Sequence, residues 1–199
     1  KFLTVHRINL AHAQDVVGRL LESLIDGAKV LKVSKLEGDA VLFFAWERDK
    51  PELAEELKGI RNAFEKKKQQ MVIERLCSCE GCTQVSDLTL KFVAHAGEVA
   101  AQKVKRFTEI AGLDVILVHR LLKNHVPLRE YVLGTDDVRA FLDPALPLIA
   151  STEDLEGIGP TPTFYLPLDA LGAVDTTTST ASTPQRLFAW AGMTWRALR

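Results

Sequence analysis

Glu37-Gly38-Asp39 sets two carboxylates around a glycine, and Cys77, Cys79 and Cys82 set three thiols in the short stretch CSCEGC. Glycine permits a tight turn and leaves both acids at its tip. Asp39 on such a tip suits a hard cation, Mg²⁺ or Mn²⁺, which takes one or two carboxylates together with phosphate oxygens. An acidic hairpin turn with no cation satisfies the same residues. The C-x-C-x₂-C thiols are soft donors that can converge on a structural zinc ion. Zinc prefers four ligands, so a His, a carboxylate, water or a neighbouring chain would complete the set. Reduced thiols on a loop are the alternative. Three clustered cysteines make a poor disulfide framework and point to a reducing cytoplasm.

These groups need elements to hold them. The runs Lys29–Leu36 and Ala40–Ala45 read as two strands of a β-hairpin on a buried sheet, with Glu37-Gly38-Asp39 between them. Before it, Val16, Val17, Leu20, Leu21, Leu24 and Ile25 recur at helical spacing, with Asn9 as the cap and Gly27 near the end. After it, Pro51 opens a second helix that buries Leu53, Leu57, Ile60, Phe64 and Met71 and leaves Lys66–Lys68 on its solvated face.

Leu88–His95 alternates as a strand, turns at Ala96-Gly97 and returns along Glu98–Val104. His95 borders that turn and reads as a hydrogen-bonded structural histidine. A loop over Arg106–Leu113 leads to Asp114, the expected cap of a helix Val115–Asn124. His119 and His125 flank that helix without an evident partner. A strand at Glu130–Leu133, a short helix around Asp137–Leu142, a loop at Gly157-Ile158-Gly159-Pro160 and a strand Thr163–Leu168 complete the domain. Pro162 and Pro167 favour a sheet edge for that last strand. Helices alternating with hairpins predict an α+β sandwich of one helical layer and one sheet.

The chain has 199 residues, 47% of them hydrophobic and 26% charged, with a formal net charge of −1. That balance argues against non-specific attraction to nucleic acid or to anionic membrane. No apolar run approaches the ~20 residues of a membrane span, and the opening residues do not read as a signal peptide.

The order of the pieces carries a resemblance. SKLEGDAVLFFA resembles the second-metal hairpin of class III nucleotidyl cyclases, LKFVAHAGEV their central strand and Gly turn, and GLDVILVHRLL the helix that bears their catalytic Asn and Arg. EGIGPTPTFYLPL resembles their closing strand pair. HAQDVV, KLEGDAV, LKFVAHAGEV and DVILVHRLLKN are closer still to a cyclase-like bacterial family known as a domain of unknown function.

The resemblance implies a ferredoxin-like cyclase sandwich over residues 1–168, with a Cys-containing insert at 77–82. Beyond it, the Thr, Ser and Ala of Thr176–Thr183 read as part of a linker at 169–184, and LFAWAGMTWRAL reads as an amphipathic helix at 185–199 that carries Trp190 and Trp195. It implies Asp39 as the second metal-binding Asp and Arg120 as the residue that stabilises transition-state charge on phosphate. It also implies Lys35 and Glu109 as readers of the base edge. Homodimerisation follows from it, because in that family the Asp39-type and Arg120-type residues come from different protomers.

Two departures stand out. The ribose-orienting Asn is Ile116, one turn from Arg120 on the same helix face. The strand carrying the first metal Asp would precede Lys1. The favoured expectation is a degenerate, regulatory cyclase homologue that binds a nucleotide or related phosphate ligand. Its rivals are an active cyclase working through two metal ions and an interaction scaffold that uses the Cys cluster and the Trp-bearing tail.

Overall fold

Amphipathic spacing near the start folds as helix α1 (Leu10–Gly27), which buries Val16, Leu20, Leu21 and Leu24. The computed structural model describes residues 10–49, 51–74, 80–105 and 107–174. Asn9, Cys77, Cys79, the linker from residue 175 onward and the Trp-bearing helix therefore lie outside the described residues. Strands β1 (Lys32–Glu37) and β2 (Ala40–Phe44) pair antiparallel, with Glu37 opposite Ala40. They form a separate two-stranded sheet, and β2 is only half-buried.

Helix α2 (Leu53–Glu74) buries Leu53, Leu57, Ile60, Phe64 and Met71, the stripe its spacing predicts. Its Glu56 is buried as well. Glu56 Oε2 accepts hydrogen bonds from the backbone N–H groups of Lys29, Val30 and Leu31, which fixes where the chain leaves α1 and enters β1. Lys68 departs from the expected solvated face. Its side chain is 14% exposed, and its ammonium donates to Glu65 and to the carbonyl of Leu88. A long methylene stem lets a lysine cover apolar surface such as Phe64 in this way.

A one-turn helix α3 (Glu80–Thr83) holds the buried Cys82. Strand β3 (Lys91–Ala94) follows, then β4 (Ala100–Val104), β5 (Phe107–Ala111), α4 (Leu113–Leu121), β6 (Tyr131–Thr135), β7 (Ile149–Leu155) and β8 (Gly159–Pro167). The larger sheet has the order β3-β6-β8-β7, with β3 parallel to β6 and the other pairs antiparallel.

All five residues of β6 are buried because both faces of this sheet are covered. Val132, Phe164 and Leu166 pack with α1 and α2, whereas Tyr131, Leu133 and Leu155 pack with Leu121 of α4. The result is helix, sheet, helix, in place of the expected single helical layer. Alternate strand residues point to opposite faces, so one apolar strand can serve two cores.

Three further expectations are corrected. The hairpin across Ala96-Gly97 does not form: β3 stays in the large sheet and β4 pairs with β5. The segment expected as a loop before Leu113 contains β5. The last strand is longer than Thr163–Leu168 and lies inside the sheet, between β6 and β7.

The prolines of β8 are tolerated there for a local reason. Pro160 and Pro162 pair with β7 beyond the last β6 partner, Thr163, and Pro167 pairs with β6 beyond the last β7 partner, Tyr165. Each proline therefore faces one neighbour only, and no ladder bond need be lost.

Candidate functional site

The turn between β1 and β2 is made by Gly38 and Asp39 alone, with Gly38 at φ 63°. That left-handed conformation costs little without a Cβ and is the one a two-residue hairpin turn beginning with Gly requires. Asp39 follows it, exposed, and makes no hydrogen bond or ion pair among the described residues.

Glu37 behaves differently from the freely exposed acid expected of it. Its Oε1 lies 2.6 Å from Lys35 Nζ and its Oε2 lies 3.2 Å from His119 Nδ1. A bulge in β1 between Val33 and Lys35 leaves Ser34 out of the pairing, and Ser34 Oγ accepts a hydrogen bond from Ile110 N–H of β5. Lys35 and Glu37, two residues apart beyond the bulge, then meet on one face. The Lys35 hydrogen bond holds the Glu37 carboxyl below the 4.5 of a free Glu; desolvation opposes this and the charge of His119 adds to it.

Helix α4 supplies the other side. Gly112, not Asp114, occupies the cap position, and Asp114 lies inside the first turn. Its carboxylate accepts from Glu98 N–H at 2.6 Å and contacts His95 Nε2 at 3.1 Å. A carboxylate oxygen accepts, so His95 Nε2 donates to Asp114, while Nδ1 lies 2.7 Å from the Thr135 hydroxyl. The His95 side chain is 6% exposed, with the Asp137 carboxylate 3.8 Å from Nδ1.

Gly97 makes this approach possible. A Cβ at that position would stand 2.4 Å from Asp114 Cγ. His95 thus ties the ends of β3 and β6 to the start of α4, as expected of a structural histidine.

At the other end of α4, His119 reaches Glu37, while Arg120 Nη1 lies 3.1 Å from Glu156 Oε2 in the turn between β7 and β8. Ile116 is 48% exposed. Glu109 is exposed on β5 opposite Gln102, and no ion pair joins it to Lys35. The structure therefore unites Lys35, Glu37 and His119 and sets Arg120 beside His119 in sequence.

His119 is the residue that sequence reasoning missed. Its partner lies on a distant hairpin, and nothing in local spacing signals the contact. Among the described residues no group of three His, Cys, Asp or Glu side chains could hold a metal ion, and no helix is long and apolar enough to cross a membrane. Asp39 fits a single cation that arrives with phosphate oxygens.

The family described as "Protein of unknown function (DUF2652)" matches residues 17–131. "Uncharacterized protein Rv2561/Rv2562" of Mycobacterium tuberculosis is 47% identical over 155 residues, covering 76% of this chain and 73% of that protein. Among solved structures, that of a bacterial light-regulated adenylyl cyclase superposes with a TM-score of 0.56 at 13% identity. The match covers 96% of this chain and 53% of that one, so the chain spans about half the length of that cyclase. The likeness is one of fold.

Proposed function

The chain belongs to the family described as "Protein of unknown function (DUF2652)", and we propose that it is a degenerate nucleotidyl cyclase-like domain that binds a nucleotide or related phosphate ligand. The face of α4 carries this reading. Arg120 is retained and half-open to solvent, while Ile116, one turn before it, presents an apolar side chain where the resembled cyclases carry a ribose-orienting Asn. Positioning of reacting groups supplies several kcal/mol of barrier reduction. Replacing a hydrogen-bonding amide by a hydrocarbon removes that term but leaves the guanidinium able to hold phosphate oxygens.

In this reading Arg120 contacts the phosphates, Glu109 faces the base, and Asp39 would share one Mg²⁺ or Mn²⁺ with the phosphate chain. Lys35, expected at the base edge, pairs with Glu37 beside His119 and is assigned to the phosphates instead. A bound cation would supply charge neutralisation there. The cyclase-like architecture supports a ferredoxin-like sandwich as its finer description. Pairing of two copies would bring Asp39 of one protomer toward Arg120 of the other. Large exposed apolar side chains on the two site-bearing elements support such pairing: Leu36 beside the hairpin tip, and Leu113 and Ile116 on α4. A structural zinc on Cys77, Cys79 and Cys82 is a separate proposal, which metal analysis of reduced, chelator-free protein addresses.

Calorimetry of the full chain with ATP, GTP and their cyclic products, with and without Mg²⁺ or Mn²⁺, tests the reading. Saturable binding without cyclic product is the expected result. Absence of binding at millimolar ligand overturns the nucleotide assignment. Cyclic nucleotide formation that disappears in Arg120→Ala overturns the degenerate assignment.

A further inference from the structure

We propose that Glu37 and Glu156 are resident stand-ins for phosphate, occupying Lys35, His119 and Arg120 until a polyphosphate chain displaces them. This inference rests on the reading of the site as one for a phosphate-bearing ligand and adds how the site is kept closed.

Each cationic group at the site already faces a carboxylate of the same chain. The two oxygens of Glu37 divide between Lys35 Nζ at 2.6 Å and His119 Nδ1 at 3.2 Å, as two oxygens of one phosphate would span two donors. Glu156 contacts Arg120 with one oxygen and is otherwise 88% exposed, on a turn whose next residue, Gly157, has φ 74°. Lys35 and Arg120 are thereby matched charge for charge by Glu37 and Glu156, and Asp39 offsets any charge on His119. A triphosphate finds no uncompensated cation until at least one carboxylate swings into solvent.

The bonds to be exchanged suit such displacement. All of them join side chains at least 29% exposed, and ion pairs at the protein surface are individually weak. A polyphosphate offers more charge and more acceptor oxygens than a carboxylate, and phosphate–guanidinium pairing is often bidentate. Arg61, buried among the described residues, is held in another manner, by Asp169 and by the carbonyls of Leu168 and Gly172.

Binding of Mg²⁺-ATP and of inorganic tripolyphosphate to the full chain is measured by calorimetry for the wild type, Glu37→Gln, Glu156→Gln and the double variant, with Glu22→Gln as a control. Glu22 is exposed on α1. The expected result is tightening of about threefold for each site substitution and about tenfold for the pair, with Glu22→Gln unchanged. The His119 ring resonances should shift on tripolyphosphate addition, which a mere change of net charge would not produce.

Wild-type binding that Glu37→Gln and Glu156→Gln leave unchanged or weaken overturns the displacement proposal and leaves the phosphate-ligand reading standing. Equal tightening in Glu22→Gln also overturns it, because net charge then accounts for the gain. Absence of binding in every protein overturns both. Binding that emerges only in the Gln variants supports the proposal.

Discussion

Glu37 Oε2 lies 3.2 Å from His119 Nδ1, a contact that fastens the last residue of β1 to the last turn of α4. The acidic hairpin tip and the helix bearing Arg120 are therefore held together within one chain.

That contact carries a pH signature. The Glu37 carboxyl is held below 4.5, chiefly by its hydrogen bond to Lys35. For a carboxyl depressed by folding, the stabilisation is fully present above the free-Glu value and is lost as pH falls through the lower folded value. Urea denaturation should show wild type slightly more stable than Glu37→Gln at neutral pH. The difference should vanish in acid well under 4.5. A difference independent of pH would contradict the pairing.

The start of α4 depends on Asp114. Asp114→Ala removes the acceptor for Glu98 N–H and for His95, and should cost about 1–3 kcal/mol by denaturant titration. Gly97→Ala should cost a similar ~1–3 kcal/mol, because its Cβ would stand 2.4 Å from Asp114 Cγ. A neutral Gly97→Ala would show that this approach is not required.

Adjacent leucines at the end of α4 make a paired test. Leu121 is fully buried against Tyr131, Leu133 and Leu155, whereas Leu122 is 53% exposed. Leu121→Ala should lower stability by about 2–5 kcal/mol, and Leu122→Ala should stay within about 0.5 kcal/mol. Similar losses in the two variants would place α4 differently on the sheet.

Arg120→Ala should weaken Mg²⁺-ATP binding about tenfold in calorimetry, with little change in thermal midpoint because its pair with Glu156 is exposed. Arg120→Lys should recover only part of the loss, since an ammonium lacks the planar fork. A fall in midpoint that accounts for the lost binding would assign Arg120 a structural role.

Much of the fold was legible because local patterns report local structure. The 3.6-residue recurrence in Val16–Ile25 and Leu53–Met71 corresponds to α1 and α2, and Gly38 marks a turn whose φ of 63° favours glycine. The alternation around Phe92 indicated a strand but not its partner, so β3 was expected beside β4 when it pairs with β6. β5 was missed because Thr108, Glu109 and Ile110 mix polar and apolar residues too briefly to show a period. Proline content placed β8 at an edge, although staggered strand ends let an inner strand carry it.

By itself, then, the sequence determined which segments are amphipathic, where the acidic turn lies, and that Ile116 and Arg120 share a helix face. Those properties depend on neighbours a few positions apart. Tertiary structure alone decided that Glu37 meets His119, that Asp114 holds His95, and that Arg120 meets Glu156. Side-chain charge is readable from residue type. Which opposite charge comes within 3–4 Å depends on sheet order and helix docking, which no local spacing encodes.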